Sequence, residues 1–217
     1  MRLFVLRHGE TEWSRERRFT GGRDVGLTPA GKAQAEAAAV ALAASPVHAV
    51  YTSPLVRAHT SAELIARSRY LPVRLDARFA EMGFGRWEGL TLEHAAAEAP
   101  ALYAAWRTTP HTAAPPDGES LMSVAARVAE GIAVLQATHA GEAVVLVTHA
   151  IVVRLIVLAA LGLDADRLWS IDASPGGLTE IEYRPGWVTV HRMNTLAHLE
   201  RTPEGVWGSL AVGPPSS

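Results

Sequence analysis

Short runs of consecutive apolar residues alternate with longer segments of helical periodicity along most of this chain. Three of the short runs are rich in β-branched and large apolar residues: RLFVL (2–6), HAVYT (48–52) and EAVVLVT (142–148). Runs of this length and composition are typical of strands that are buried on both faces of a sheet. We therefore predict three central strands.

The longer segments have the apolar spacing of helices. They are predicted over 27–44, 53–68, 120–140 and 150–162. Thr28 and Pro29 suit the N-cap and the first helical position of the first segment. Ser53 and Pro54 stand in the same order, so the second helix is predicted to begin there. Strands that alternate with helices indicate right-handed crossovers and a mostly parallel sheet covered on both faces.

The rest of the chain adds a hairpin, an excursion and a tail. Residues 178–193 alternate on either side of an RPG turn and predict a C-terminal hairpin. Residues 83–118 mix glycines, prolines and short helical patches, which indicates an excursion over the active site. We expect one α/β domain over 1–202, built as a three-layer sandwich with a mostly parallel central sheet flanked by helices. The Pro, Gly and Ser residues of 203–217 predict a flexible tail.

Composition narrows the class of protein. The 217 residues are 48% hydrophobic and carry a formal net charge of −2, so a sizeable core is available and nucleic-acid binding is not expected. The absence of cysteine excludes disulfides and thiolate chemistry. No apolar run reaches the roughly 18 residues of a membrane span, and MRLFVL is too short for a signal-peptide core. We expect a cytoplasmic protein with no membrane partner.

Unusual polar residues fall where the predicted strands end. Arg7 and His8 follow the first strand, Arg57 lies in the first turn of the helix after the second, and His149 follows the third. Ligands of open parallel α/β sheets bind at the carboxyl ends of the strands. Two arginines and two histidines beside helix N-termini fit a phosphate better than any other ligand class. The sequence therefore predicts a phosphate site at this edge.

Other interpretations of these residues are weaker. Each histidine or arginine alone is more often structural than functional, and only their coincidence at one edge favours a site. A metal site is not predicted, because the histidines lack carboxylates at ligand spacing such as His-Glu-x-x-His. Neither Gly-x-x-x-x-Gly-Lys-Ser/Thr nor Gly-x-Gly-x-x-Gly occurs, so those nucleotide folds lack support.

Several motifs carry a resemblance to a known family. They are LRHGETEW (6–13), FTGGRDVGLTPAGKAQA (19–35), TSPLVRAHTSAELIA (52–66), EMGFGRWEGLT (81–91), DGES (117–120) and VTHA (147–150). In this order they resemble the histidine phosphatase superfamily, which includes the cofactor-dependent phosphoglycerate mutases. The motifs are specific for the superfamily and not for a substrate.

The resemblance implies phosphoryl transfer to a histidine nitrogen. His8 is the implied nucleophile, and a near-neutral imidazole pKa makes its lone pair accessible. Arg7, Arg57 and His149 are implied to hold the non-bridging oxygens and to stabilise their charge in the transition state. Because guanidinium groups supply this charge, no metal or other cofactor is expected.

The resemblance also implies an acid and a wider phosphate shell. Glu81 is the candidate that protonates the leaving oxygen and later deprotonates water, although a glutamate taken alone is usually a surface residue. The weaker phosphate-shell candidates are Ser14, Thr20 and Gly21. We interpret Glu10 and Glu88 as structural, and His59 as a helix-face residue with Glu63 as its i,i+4 partner.

Two positions depart from the family pattern. Ser14 stands where asparagine is common, and its shorter side chain puts a direct phosphate contact in doubt. Ala150 stands where glycine usually follows the second histidine, and its methyl group crowds the helix N-terminus. Neither change removes a group that the chemistry needs.

The comparison within the family favours hydrolysis over mutase activity. Between Glu81 and Gly118 the only full positive charges are Arg86 and Arg107, without the paired arginines of the mutases. We expect a phosphomonoesterase acting on a small-molecule phosphate ester, with a phosphoglycerate mutase and a non-catalytic phosphate-binding module as alternatives, and metal-dependent hydrolysis as a minor one.

The candidate leaving-group pocket residues are Phe84, Trp106, His111, Leu121 and Met122, which fit core packing equally well. A homodimer is left open.

Overall fold

One six-stranded sheet organises the chain. The computed structural model describes residues 1–199, so the predicted tail over 203–217 lies outside the described residues. The strands are β1 (Arg2–Arg7), β2 (Val47–Thr52), β3 (Val73–Leu75), β4 (Ala143–Thr148), β5 (Leu178–Arg184) and β6 (Trp187–Thr195). Their order across the sheet is β3-β2-β4-β1-β5-β6, with β1 to β4 parallel and β5 and β6 antiparallel.

Helices cover both faces of the sheet and make the expected three-layer α/β sandwich. They are α1 (Glu12–Arg15), α2 (Pro29–Ala41), α3 (Val56–Arg67), α4 (Leu92–Glu98), α5 (Pro100–Thr108), α6 (Leu121–Thr138) and α7 (Ala150–Ala160), with short 3-10 turns at Ala77–Phe79, Gly85–Trp87 and Ala165–Ser170. The apolar residues of α2 and α3 pack on one face, and those of α6 and α7 pack on the other. The mostly parallel sheet and the C-terminal hairpin are both confirmed.

The helix starts follow local chemistry in one case and tertiary contacts in another. Thr28 caps α2 as predicted, its Oγ1 accepting from the N–H of Gly31 at 3.0 Å. The prediction that Ser53 begins the second helix is wrong, since α3 starts at Val56 with Leu55 as its N-cap. The Ser53 hydroxyl accepts the N–H of Leu55 at 3.3 Å and contacts His149 at 2.6 Å, so it ties the residues before the helix to the end of β4.

Helix α6 is long and apolar enough, by length and composition, to cross a membrane. In the fold it serves as a core helix, because Leu121, Val124 and Leu135 are buried in the cluster that also contains α7. The segment before it, 83–118, carries α4 and α5 beyond the strand ends, and several of its side chains face the site described next.

Candidate active site

Three neighbouring strands deliver the predicted phosphate ligands to one place. The N–H of His8 donates to the carbonyl of Thr148 at 2.9 Å, which ties the end of β1 to the end of β4. The His8 and His149 rings lie 5.1 Å apart between centroids. Arg57, in the first turn of α3, places its Nε 3.2 Å from His8 Nε2. The structure thus brings together the side chains of Arg7, His8, Arg57 and His149, all of which are buried.

The tautomer of His8 follows from its hydrogen bonds. Its Nδ1 lies 2.7 Å from the carbonyl oxygen of Gly9, which can only accept, so Nδ1 carries the proton. Nε2 therefore holds a lone pair, and the N–H of Arg57 points at it. Burial, and then the positive charges of Arg57 and Arg7, hold the pKa of His8 well below its ordinary value. The imidazole is neutral at neutral pH and has a nucleophilic nitrogen.

The two arginines are fixed by backbone carbonyls. Arg7 Nη1 donates to the carbonyl of Ala173 at 2.7 Å. Arg57 donates through Nη1 to Arg23 and through Nη2 to Gly21, each at 2.7 Å. Burial lowers the pKa of Arg7 to about 10, so the group still carries its charge at neutral pH. Held rigidly, both guanidinium groups can meet an anion with little further ordering.

His149 lies behind His8, with one ring nitrogen engaged and one free. Ser53 Oγ accepts the N–H of Leu55 at 3.3 Å and lies 2.6 Å from His149 Nε2. His149 Nδ1 is buried with no hydrogen-bond partner among residues 1–199. Burial and the neighbouring charge of Arg57 lower the pKa of His149 well below its ordinary value. This places a neutral imidazole with one unpartnered ring nitrogen beside the His8 ring.

Glu81 supplies the single carboxylate that lines the cavity within the described chain. Its Oε1 accepts the N–H of Met82 at 3.0 Å, and its Oε2 accepts the N–H of Ala150 at 3.1 Å. Burial raises the pKa of Glu81, although the Met82 hydrogen bond and the charges of Arg57 and Arg7 oppose this. The N-terminal N–H of α7 is thus occupied by the carboxylate rather than open to phosphate.

A salt bridge fixes the backbone that carries Glu81. Arg127 of α6 donates to the carbonyls of Arg78 and Ala80 at 2.8 and 2.7 Å, and it pairs with Glu119 at 2.9 Å. Glu119 in turn accepts the N–H of Gly83 at 2.8 Å. The DGES motif therefore immobilises the segment on both sides of the acid.

The weaker phosphate-shell candidates have different placements. Ser14 and Thr20 line the cavity. Ser14 is also committed to the cap of α1, because its Oγ donates to the carbonyl of Thr11 at 2.9 Å and accepts the N–H of that residue. Gly21 does not line the cavity, and its carbonyl acts instead as an anchor for Arg57. Among these three, the side chain of Thr20 is the least committed elsewhere.

The predicted leaving-group pocket is divided by the structure. Phe84 and Trp106 line a cavity of about 80 Å³ that opens beside His8. The other three predicted pocket residues do not line it. His111 is exposed, Leu121 is fully buried in the core on the first turn of α6, and Met122 is 53% exposed. Those predictions are wrong because the path of the excursion, which decides what faces the cavity, depends on tertiary packing.

Sequence reasoning missed part of the cavity wall. The additional lining side chains are Arg17, Arg18, Phe19, Leu92, Tyr103, Arg107, Ile151, Arg154 and Trp169. Of these, Arg154 had a visible signal, since it is the single charged residue within the apolar helix AIVVRLIVLAA. It lies four residues after Ala150, on the same face of α7.

The residues interpreted as structural have structural contacts. Glu10 Oε1 accepts the hydroxyl of Thr28 at 2.9 Å. Glu88 accepts the N–H groups of Gly22 and Phe84 at 3.0 and 3.1 Å. The last of them, His59, is 3.9 Å from Glu63 on α3, the predicted i,i+4 pair. None of these three side chains lines the cavity beside His8.

Comparisons with known proteins agree on one family. The model of the histidine phosphatase superfamily (branch 1) matches residues 3–196. Phosphoserine phosphatase 1 of Hydrogenobacter thermophilus is 30% identical, over 92% of this chain and 94% of that protein. Adenosylcobalamin/alpha-ribazole phosphatase of Salmonella typhimurium is 32% identical, over 91% and 98%. Glucosyl-3-phosphoglycerate phosphatase of Mycolicibacterium vanbaalenii is 33% identical, over 84% and 92%.

Solved structures give the same result. Bacillus stearothermophilus YhfR superposes with a TM-score of 0.86 at 33% identity, covering 91% of this chain and 98% of that one. The mycobacterial glucosyl-3-phosphoglycerate phosphatase described as a complex with VO3 superposes with a TM-score of 0.82 at 31% identity, covering 89% and 98%.

Proposed function

Because the chain belongs to the histidine phosphatase superfamily, and is a phosphoric monoester hydrolase, we propose that it hydrolyses a small-molecule phosphate ester through a phosphohistidine at His8, without a metal ion. One observation carries the proposal. The lone pair of His8 Nε2 lies in a buried site between fixed guanidinium groups, with Arg57 Nε 3.2 Å away. A neutral nucleophile with positive charge around it suits attack on a phosphate dianion.

Substrate entry begins with the phosphoryl group. Its non-bridging oxygens take the N–H groups of Arg57 and Arg7, and the Arg57 donor that now faces His8 Nε2 turns to the phosphate. His149, in the tautomer that carries its proton on Nδ1, offers a third donor, and the lack of another partner for Nδ1 supports this role. The guanidinium groups neutralise the charge that spreads over these oxygens in the transition state.

The reaction then proceeds in two displacements. His8 Nε2 bonds to phosphorus as the bond to the leaving oxygen breaks, and protonated Glu81 gives that oxygen its proton. Burial already raises the pKa of Glu81, and the arriving dianion raises it further, which favours the protonated acid at this stage. In the second step Glu81 takes a proton from water, which attacks phosphorus and releases inorganic phosphate and His8.

The leaving group is not fixed by the comparisons. The names of the relatives specify phosphoserine, alpha-ribazole phosphate and glucosyl-3-phosphoglycerate, which are three different leaving groups. The mutase alternative is less favoured, since the excursion brings a single arginine, Arg107, to the cavity wall among the described residues. The presence of all five proposed catalytic residues disfavours a non-catalytic binding module. We propose a cytoplasmic location.

Phosphate release from a panel of monoesters, with chelator present, tests this function. We expect the wild-type protein to release phosphate and His8→Ala to lose essentially all activity. His59→Ala is the matched control, because this partly exposed histidine pairs with Glu63 on α3 and does not line the cavity, so the variant should leave turnover unchanged. Turnover that survives the loss of His8, or that needs a divalent metal, would contradict the mechanism. Isomerisation of phosphoglycerate without net release would assign the protein as a mutase.

A further inference from the structure

The wall of the cavity beyond the phosphate site is strongly positive. Within residues 1–199, six arginines line this cavity against the single carboxylate of Glu81: Arg7, Arg17, Arg18, Arg57, Arg107 and Arg154. The proposed chemistry uses the charges of Arg7 and Arg57. A neutral leaving group would offer no charged acceptor to the other arginines on this wall, of which Arg18 already pairs with Glu16.

Arg154 is the most deeply placed of these additional charges. It is 3% exposed, and that small surface opens on the cavity. Its Nε donates to the carbonyl of Ile171 at 2.8 Å, and its guanidinium lies 5.1 Å above the Trp169 ring, which fixes its plane. Among the described residues no hydrogen bond reaches Nη1 or Nη2, and the nearest acid, Asp172 Oδ1, is 4.0 Å from Nη2.

The position of Arg154 determines how far a ligand must extend along the cavity to contact its guanidinium group. Ala150, whose N–H meets Glu81, lies four residues earlier on α7, which corresponds to about 6 Å along the helix axis. Arg154 also acts electrostatically on the phosphate ligands, since burial lowers the pKa of Arg7 and the charge of Arg154 adds to that effect. Between the two ends stand the aromatic side chains of Phe84 and Trp106.

From this geometry we infer that the preferred substrate has a carboxylate on its leaving group, about one helical turn beyond the oxygen that Glu81 protonates and bound by Arg154. An apolar or aromatic linker between phosphate and carboxylate fits the ring-lined wall. A single negative charge suits the site better than a second phosphate dianion, because Asp172 already offsets part of the charge of Arg154. This inference rests on the proposed function.

A matched pair of synthetic esters tests the inference. 4-Carboxyphenyl phosphate and 4-carbamoylphenyl phosphate have nearly the same shape and differ in the charge at one end. We expect the wild-type kcat/KM to favour the carboxylate ester by about tenfold or more, the effect of a charge-assisted hydrogen bond. In Arg154→Gln this ratio should fall to about one, because the effect of Arg154 on the phosphate site is common to both esters and only the carboxylate ester loses its partner.

Arg18→Gln is the matched control. Arg18 also lines the cavity, but it is engaged by Glu16 and by the carbonyl of Gly89, so its removal should change the ratio less than twofold. A wild-type ratio near one overturns the inference without any variant, and so does a ratio that survives in Arg154→Gln. Hydrolysis of the carbamoyl ester alone keeps the proposed function while this inference fails. Hydrolysis of neither ester overturns the inference, and it overturns the proposed function as well only if the whole monoester panel also releases no phosphate.

Discussion

At the scale of single residues, the site depends on one short contact between two basic side chains. Arg57 Nε lies 3.2 Å from His8 Nε2, and both side chains are buried. A guanidinium beside an imidazole penalises the protonated imidazolium, and burial adds to that penalty. In the proposed mechanism the same arginine therefore keeps His8 neutral and binds the group that His8 attacks.

This double role predicts a pH effect that can be measured without substrate. In the wild-type protein the His8 imidazole should titrate well below its ordinary pKa of about 6.5. Arg57→Gln removes a positive charge that lowers this pKa, so the pKa of His8 should rise. As the pH falls, the imidazole should then become protonated at a higher pH than in the wild-type protein. The His8 ring signals in an NMR titration of the free enzyme report the shift.

The control for this titration is on the same helix. Arg67→Gln removes a charge at the exposed end of α3, ten residues or about 15 Å farther along, where solvent and salt screen it. The pKa of His8 should stay at its wild-type value in that variant. An unchanged or lowered pKa in Arg57→Gln would contradict the assignment. Arg57→Gln should also reduce kcat/KM by about 10²–10³, as loss of a transition-state donor does.

At the scale of elements, the loop that carries His8 is packed directly on the start of α2. Gly9 and Gly31 face each other so closely that a Cβ on either would overlap backbone atoms of the other segment. The N–H of Gly9 donates to Ser61 Oγ of α3 at 3.2 Å, and the N–H of Glu10 donates to Gln34 of α2 at 2.7 Å. Two helices thus hold the backbone that directly follows His8.

Gly31→Ala should destabilise the protein although alanine favours helices. The added Cβ overlaps the carbonyl of Glu10, so the loop must move, at a cost of about 1–3 kcal/mol in the free energy of unfolding. We expect a lower midpoint of thermal unfolding and a lower kcat/KM, because the displaced loop carries His8. Circular dichroism melts and phosphate release measure the two effects.

Gly26→Ala provides the comparison. A Cβ there meets nothing within 4 Å, so its effect on stability should remain within about 0.5 kcal/mol and turnover should be unchanged. If Gly31→Ala unfolds at the same midpoint as the wild-type protein, the loop and the helix can separate at little cost, which would contradict this prediction.

Much of the secondary structure can be predicted from the sequence, because it depends on local interactions. The buried strands and the Thr28 cap of α2 follow from apolar runs and from one hydroxyl three residues before the N–H that it accepts. β3 (Val73–Leu75) was missed because three partly exposed residues leave no pattern. Ser53 was misassigned as the N-cap because the chain stays extended through Leu55, and its contact with His149, 96 residues away, is not visible in the local sequence.

The residues of the candidate site likewise divide into those whose positions the sequence could predict and those whose positions it could not. Residues at strand ends, such as His8 and His149, are placed by the topology of the sheet, so their convergence was predictable. The far wall of the cavity depends on how 83–118 folds back, and nothing local distinguishes Trp106, which faces it, from His111, which does not. The contacts that fix the Glu81 segment come from Arg127, which is distant in the sequence. Hydrophobic periodicity predicts helices and strands but not such long-range contacts.

At the scale of the whole molecule, the C-terminal hairpin is coupled to Arg7, a proposed phosphate ligand. Asn194, in β6, accepts the N–H of Ser174 at 2.8 Å and donates to Asp172 at 2.9 Å. The same loop offers the carbonyl of Ala173 to Arg7 Nη1 at 2.7 Å. The antiparallel strands therefore do more than extend the sheet, because their end fixes the loop that orients a phosphate ligand.

Asn194→Gly tests this coupling with the backbone strain removed. Asn194 has φ +47°, a left-handed conformation that glycine adopts freely, so the variant isolates the loss of the side-chain hydrogen bonds. Each lost bond costs about 1 kcal/mol of stability, and the released loop lets Arg7 move. We expect a folded protein with weaker inhibition by inorganic phosphate and kcat/KM reduced about tenfold or more.

Met193→Gly is the matched change at the neighbouring position. Its side chain is 47% exposed, so the substitution costs some strand stability while leaving the loop contacts intact. Phosphate inhibition and kcat/KM should then match the wild-type values even if the unfolding midpoint falls. If Asn194→Gly and Met193→Gly lose stability alike and neither changes phosphate inhibition, the hairpin acts on the fold alone, and Arg7 is held well enough by its other contacts.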